Sequence, residues 1–222
     1  NVIPAVRDLY DDIWVYGLER FADPLEGVEC PLPVRRKMIY TGYLKRAVPQ
    51  VEQAFTHPIG EQPYVLVTVG GGDDGMSAVD WVLRAYEHDP EIPLAAVVVC
   101  GPFMPPAMQR QFRERAERLG RIAVVTFDTH VEVLMERAAG VVAMGGYNTF
   151  CEILSLDKRA ILIPRVKPRR EQLLRANRAA ALGLVHTLDP EGINDPAAMA
   201  ASKAVVGTSA GVRRDSRDNY LR

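Results

Sequence analysis

The feature that most constrains this chain is a strand-then-helix alternation that starts at Tyr64 and repeats six times. Residues 64–69 (YVLVTV) form a short apolar, β-branched run that ends in three glycines. Residues 76–87 then space Met76, Val79, Val82, Leu83 and Tyr86 along one helical face. The same pair of signals recurs as strands at 94–100, 122–127, 141–144, 160–163 and 184–188. Helices are expected at 105–119, 131–139, 148–156, 171–182 and 196–206. Glycines 101, 120, 145 and 183 punctuate the units. The strand segments are continuously apolar, as strands covered on both faces should be. This pattern predicts an α/β fold, a Rossmann-like doubly wound parallel sheet of about six strands. Right-handed crossovers favour the strand order 3-2-1-4-5-6, counted from Tyr64.

Residues 1–45 do not share the rhythm. Residues 12–16 (DIWVY) and 38–41 (MIYT) read as strands separated by a stretch holding Pro24, Pro31 and Pro33. We read 1–45 as the tail of a preceding domain and a connector, 46–206 as the main domain, and 207–222 as a polar tail. Residues 50–61 are expected to be a loop or short helix. The chain starts at Asn1, not Met, which implies processing or an excerpt of something longer.

Composition closes off several alternatives. A formal net charge of −1 over 222 residues lacks the basic balance of a nucleic-acid binder. Cys30, Cys100 and Cys151 are far apart and form no CxxC pair, which argues against a disulfide framework and for a reducing, cytoplasmic setting. No apolar run approaches the roughly 20 residues that span a bilayer. His57, His88, His130 and His186 are isolated, and only His130 starts a helix near the expected ligand crevice.

In the predicted strand order, the first and fourth strands are neighbours whose helices lie on opposite faces. Ligands of open α/β sheets bind in the crevice beyond the carboxyl ends of such a pair. The two most glycine-dense loops of the chain fall there: Gly70-Gly71-Gly72-Asp73-Asp74-Gly75 and Gly145-Gly146-Tyr147-Asn148-Thr149. Each runs into a helix start, whose free N–H groups and partial positive charge suit a phosphate. Glycine lets the backbone come close to the anion. The competing reading is a pair of ordinary tight turns.

Gly70, Gly72 and Gly75 also match the G-x-G-x-x-G dinucleotide fingerprint. That motif asks for an acidic residue at the end of the second strand. Here the strand ends Val99-Cys100-Gly101, so an NAD(P)-dependent dehydrogenase domain is the lesser alternative. Asp73-Asp74 is a slender hint of a metal, and no metal-ligand set is expected.

The run from Gly145 to Glu152 resembles the C-terminal, donor-binding domain of GT-B glycosyltransferases. The similar group contains the peptidoglycan N-acetylglucosaminyltransferase and the galactolipid synthase, with C-terminal domains of the glycosyltransferase family 28 type. The resemblance extends over about residues 38–190, through Ala160–Pro164, Arg169-Arg170-Glu171-Gln172, Asn177 and Leu182-Gly183. It implies a donor site for a nucleotide sugar, with UDP favoured, and transfer of a hexose or N-acetylhexosamine with inversion. Gly70, Gly71, Gly72, Asp73, Gly145, Gly146, Asn148 and Thr149 would surround the diphosphate. Glu152 would accept hydrogen bonds from the ribose hydroxyls, Glu171 and Gln172 would touch the sugar, and Phe127 would edge the base. Thr149 and Glu152 also have capping-box spacing, as do Thr129 and Glu132. The basic loop 165–170 (RVKPRR) offers cations for a diphosphate or a merely solvated surface. No cofactor is implied beyond the donor. The general base and acceptor pocket would belong to a missing N-terminal domain or a partner chain, as would any membrane contact. This chain alone would then be inactive, and a non-catalytic subunit of a split glycosyltransferase is the alternative.

Overall fold

The computed structural model describes residues 3–21, 23–25, 28–49, 58–168, 170–192, 195–202 and 220–221. The alternation appears as β3 (Tyr64–Thr68), α3 (Met76–His88), β4 (Ala95–Val99), α4 (Pro106–Leu119), β5 (Ile122–Val125), α5 (Val131–Arg137), β6 (Gly140–Ala143), α6 (Tyr147–Ser155), β7 (Ala160–Leu162), α7 (Glu171–Ala181), β8 (His186–Thr187) and α8 (Pro196–Ala201). The six strands are all parallel and lie in the order β5-β4-β3-β6-β7-β8, which is the predicted order.

Two hydrophobic cores cover the two faces of this sheet. Val67, Ala96, Val98, Val142 and Ile161 pack with α3, α4 and Met199 of α8. Leu66, Val97, Val141, Ala143 and Leu162 pack with α5, α6 and α7. The alternation of neighbours such as Leu66 and Val67 between faces is the period-two geometry of a strand. Burial on both sides explains why the strands read as unbroken apolar runs. The helices after β3 and β6 therefore lie on opposite faces, and these two strands are hydrogen-bonded neighbours. The crevice at their carboxyl ends is the topological switch point.

Two segment ends differ from expectation for local reasons. Leu184 is buried but not in a strand. Gly183 adopts φ +69° after α7, and the Leu184 N–H donates to the Ala179 carbonyl at 2.9 Å, closing the helix. Thr126 and Phe127 extend past the sheet, whose last bond on this strand runs from Cys100 N–H to the Val125 carbonyl.

The N-terminal region holds α1 (Ile3–Leu9), β1 (Ile13–Val15), α2 (Leu32–Arg35) and β2 (Met38–Tyr40). The two expected strands pair in parallel, with Trp14 opposite Ile39. Both helices were unforeseen. In α2 the prolines assist the start: Pro31 is the N-cap and Pro33 lies in the first turn. Phe21 and Tyr43 are inserted into the second core, with ring centroids 5.8 and 5.1 Å from Phe150. Most of the expected tail and residues 50–57 lie outside the described residues, but Tyr220 and Leu221 are docked on Tyr43. Among the described residues no helix is long and apolar enough to cross a membrane.

Candidate functional site

The two glycine turns emerge side by side from β3 and β6. In the first, Gly72 takes φ +92°, and a Cβ there would lie 2.2 Å from the Cys100 carbonyl oxygen. A Cβ on Gly101 would meet the Gly70 carbonyl oxygen at the same distance, so the loops after β3 and β4 interlock backbone to backbone. Gly75 is the N-cap of α3 and presses on Val69. Gly71 accepts the Phe103 N–H at 2.8 Å, and the Phe103 ring stands exposed beside it.

The second turn is more open. Gly145 needs its φ of +77°, whereas Gly146 is the N-cap of α6 with an ordinary φ of −54° and free space where a Cβ would be. No side chain caps α6, leaving its first N–H groups without an intrahelical partner. Arg175, on α7, braces the turn by donating to the Gly145 carbonyl at 2.9 Å. Its guanidinium also lies 5.9 Å from the ring centroids of both Tyr147 and Phe150.

Both capping-box alternatives are corrected by the helix starts. Thr149 is the third residue of α6, behind the Gly146 cap, so it cannot cap the helix. The N-cap of α5 is His130, whose N–H donates to Asp128 Oδ1 at 2.7 Å, with Thr129 outside the helix. Glu152 is thus left without a capping role. It is half-buried in α6, and no hydrogen-bond donor reaches its carboxylate among the described residues. Burial raises its pKa, Glu132 raises it further, and Arg46 opposes both. A carboxylate held this way keeps its oxygens able to accept hydrogen bonds.

The other expected residues divide. Asn148 is engaged, its Oδ1 accepting from Arg46 Nη2 at 2.7 Å. The same connector is tied to α6 twice more, from Leu44 N–H to the Tyr147 hydroxyl and from Arg46 N–H to Ser155 Oγ. Phe127 is 55% exposed and so is not a core aromatic. It stands beyond β5, three strands from β6. Gln172 is buried, and its Oε1 accepts the Arg165 N–H at 3.1 Å, holding the loop after β7. Glu171 is exposed in the first turn of α7. Asp73 is exposed, and Asp74 is ion-paired with Arg165 at 2.5 Å. Among the described residues no group of three or more His, Cys, Asp or Glu side chains is placed to hold a metal. Cys100 and Cys151 are buried with raised thiol pKa values, that of Cys100 reaching about 11, so neither is a ready nucleophile.

Sequence reasoning missed Phe103, Arg46 and Arg175, and named Glu132 only as a capping-box residue. The loop containing Phe103 was readable as a neighbour of the first glycine turn, because its strand was correctly placed. Arg46 carried no local signal, and the spacing of Glu132 from Thr129 pointed to a cap rather than to Glu152.

The glycosyltransferase family 28 C-terminal domain matches residues 64–189, more than half of the chain. This chain belongs to that family. Its matched segment runs from β3 past β8 and holds both glycine turns, Glu152 and Arg165. Arg46 lies outside it. No curated protein matches the chain in sequence. The glycotransferase of kitacinnamycin shares the fold with a TM-score of 0.62 at 15% identity, over 95% of this chain and 49% of that one. MurG of Acinetobacter baumannii aligns with a TM-score of 0.56 at 14% identity, over 96% and 61% respectively. The glycosyltransferase VinC, solved in complex with dTDP, aligns with a TM-score of 0.50 at 14% identity, over 72% and 36%. The family 28 chain thus spans about half the length of the first of these structures. These likenesses show its fold, a GT-B C-terminal Rossmann-like domain.

Proposed function

We propose that this chain is the donor-binding half of an inverting glycosyltransferase. It holds a nucleotide sugar and presents a hexose or N-acetylhexosamine to an acceptor bound elsewhere. The observation that carries this reading is the Glu152 carboxylate in α6, which no hydrogen-bond donor reaches among the described residues, behind the uncapped helix start at the switch point. A carboxylate accepts from two vicinal ribose hydroxyls at once. The start of α6 and the turn at Gly146 supply N–H groups and dipole for the diphosphate.

Glycosyl transfer breaks the bond between the anomeric carbon and the diphosphate oxygen, and negative charge grows on that leaving group. Fixed N–H groups aimed at the diphosphate stabilise the charge as it develops, a contribution that often dominates catalysis. The acceptor hydroxyl needs a general base. We assign that group to an N-terminal domain or partner chain that also carries the acceptor pocket. The parallel pair β1–β2, with exposed Trp14 and Ile39 opposite each other, fits the edge of such a domain. On this reading residues 1–222 alone bind donor and transfer nothing, and a transferase rate from them would overturn that part.

The resemblance favours UDP as the nucleotide, while VinC was solved with dTDP, so the test spans several bases. A thermal-shift panel of UDP-, dTDP- and GDP-sugars is expected to stabilise the wild-type protein with one base. Glu152→Ala should remain folded and lose that stabilisation, its affinity falling about tenfold to a hundredfold. No stabilisation by any donor, or stabilisation indifferent to Glu152→Ala, overturns the assignment.

A further inference from the structure

The Asp74–Arg165 ion pair joins loops whose strands are not adjacent. Asp74 follows β3, Arg165 follows β7, and β6 runs between them. The pair therefore spans the carboxyl end of β6, which carries Gly145, Gly146 and the start of α6. Nη1 of Arg165 meets Oδ2 of Asp74 at 2.5 Å, with 29% and 32% of the two side chains exposed. The guanidinium is otherwise unfinished, because Nε is buried and meets no acceptor among the described residues. Buried N–H groups without acceptors are uncommon and costly. The stem of Arg165 is fixed from behind, where its backbone N–H donates to the buried Gln172 side chain.

A guanidinium suits the oxygens of a phosphate, and Asp74 engages only Nη1 of this one. The Asp74 carboxylate thus occupies a guanidinium nitrogen that an anionic ligand would otherwise take. We propose that Arg165 is a diphosphate-binding residue and that Asp74 is its internal competitor. In the free protein Asp74 holds the guanidinium across the end of β6. A nucleoside diphosphate displaces the carboxylate and takes Nη1 in its place. This inference rests on the donor-site reading and adds to it one residue and one competition. The competition also gives selectivity, since a nucleoside without phosphates gains nothing from releasing Arg165.

Calorimetry on the full-length protein tests this with UDP against uridine and dTDP against thymidine. The set is the wild type, Asp74→Asn, Arg165→Gln, Arg165→Lys and the double variant Asp74→Asn/Arg165→Gln. Asp74→Asn is expected to tighten the diphosphate about fivefold, and Arg165→Gln to weaken it about tenfold or more. The double variant should behave as Arg165→Gln, Arg165→Lys should recover part of the loss, and nucleoside affinity should move with none of them. A merely structural ion pair gives another result: Asp74→Asn leaves diphosphate binding unchanged or weaker, or Arg165→Gln weakens uridine as much as UDP. Either outcome overturns the proposal. Should Arg165→Gln fail to fold, Asp74→Asn decides alone. Diphosphate binding that depends on Glu152 but ignores Asp74→Asn sinks the competition only. No diphosphate binding by the wild type sinks the donor site and the competition together.

Discussion

The two glycine turns look alike in sequence, yet the protein demands their glycines for different reasons. In the first turn, Gly72 and Gly75 leave no room for a side chain. One faces the Cys100 carbonyl and the other the Val69 side chain. These glycines let the loops after β3 and β4 interlock. In the second turn, Gly146 has an ordinary φ and open space before it, so no packing among the described residues explains it. Glycine is needed where φ is positive or where something comes close. At Gly72 that neighbour is the protein itself. At Gly146 the space lies at the start of an uncapped helix, and on our reading a diphosphate fills it. The lesson is that glycine density marks a turn, and only the surroundings of the missing Cβ separate scaffold from ligand contact.

The strongest way to break this comparison is at the first turn. Gly72→Ala combines a strained φ with a backbone clash, and we expect a loss of about 3 kcal/mol. In a domain of this size that lowers Tm by roughly 8 °C. A melt within a degree or two of wild type would mean that the interlock is loose and that the two turns are alike after all.

The second turn should give the opposite pattern. Gly146→Ala adds a methyl group where the chain has room, so Tm should fall by no more than about 2 °C. Donor binding should weaken about tenfold, because the methyl group stands before the first N–H groups of α6. Calorimetric titration beside a thermal melt separates the two effects. Unchanged affinity would remove Gly146 from the donor site and leave both turns as scaffold.

What was legible in the sequence follows the same division between local and distant causes. The inner strands were legible because burial on both faces leaves a continuous apolar signature, the edge strands β5 and β8 by their place in the alternation, and the order followed from crossover handedness. Helix α1 was not, because it is only seven residues long and none of them is buried. Helix α2 was hidden by Pro31 and Pro33, which read as breakers although they sit where a helix start accepts them. The glycine turns and Glu152 were found as motifs. The Asp74–Arg165 pair was not, since its residues are 91 positions apart and only the sheet order brings them together. The capping boxes were misread because Thr149 and Thr129 have the right spacing, while Gly146 and His130 hold the cap positions.

The smallest expected effect concerns pH, and it probes what Glu152 costs the free protein. Its carboxyl is raised above the ordinary 4.5 by burial first and by Glu132 second, against Arg46. The folded protein therefore binds this proton more tightly than the unfolded chain does. As pH rises from about 4.5 through the folded value, stability falls, and the penalty persists at neutral pH. Glu152→Gln removes the charge that causes it, so the variant should melt about 2 °C higher than wild type at pH 7. The gap should close as the pH is lowered through that window, because wild-type Glu152 is then protonated as well. Donor affinity should drop in the same variant, since an amide offers the ribose one acceptor oxygen in place of two. A variant that is less stable at pH 7 would place Glu152 among the scaffold residues, with Gly72 and Gly75, and would leave the second turn without its ligand group.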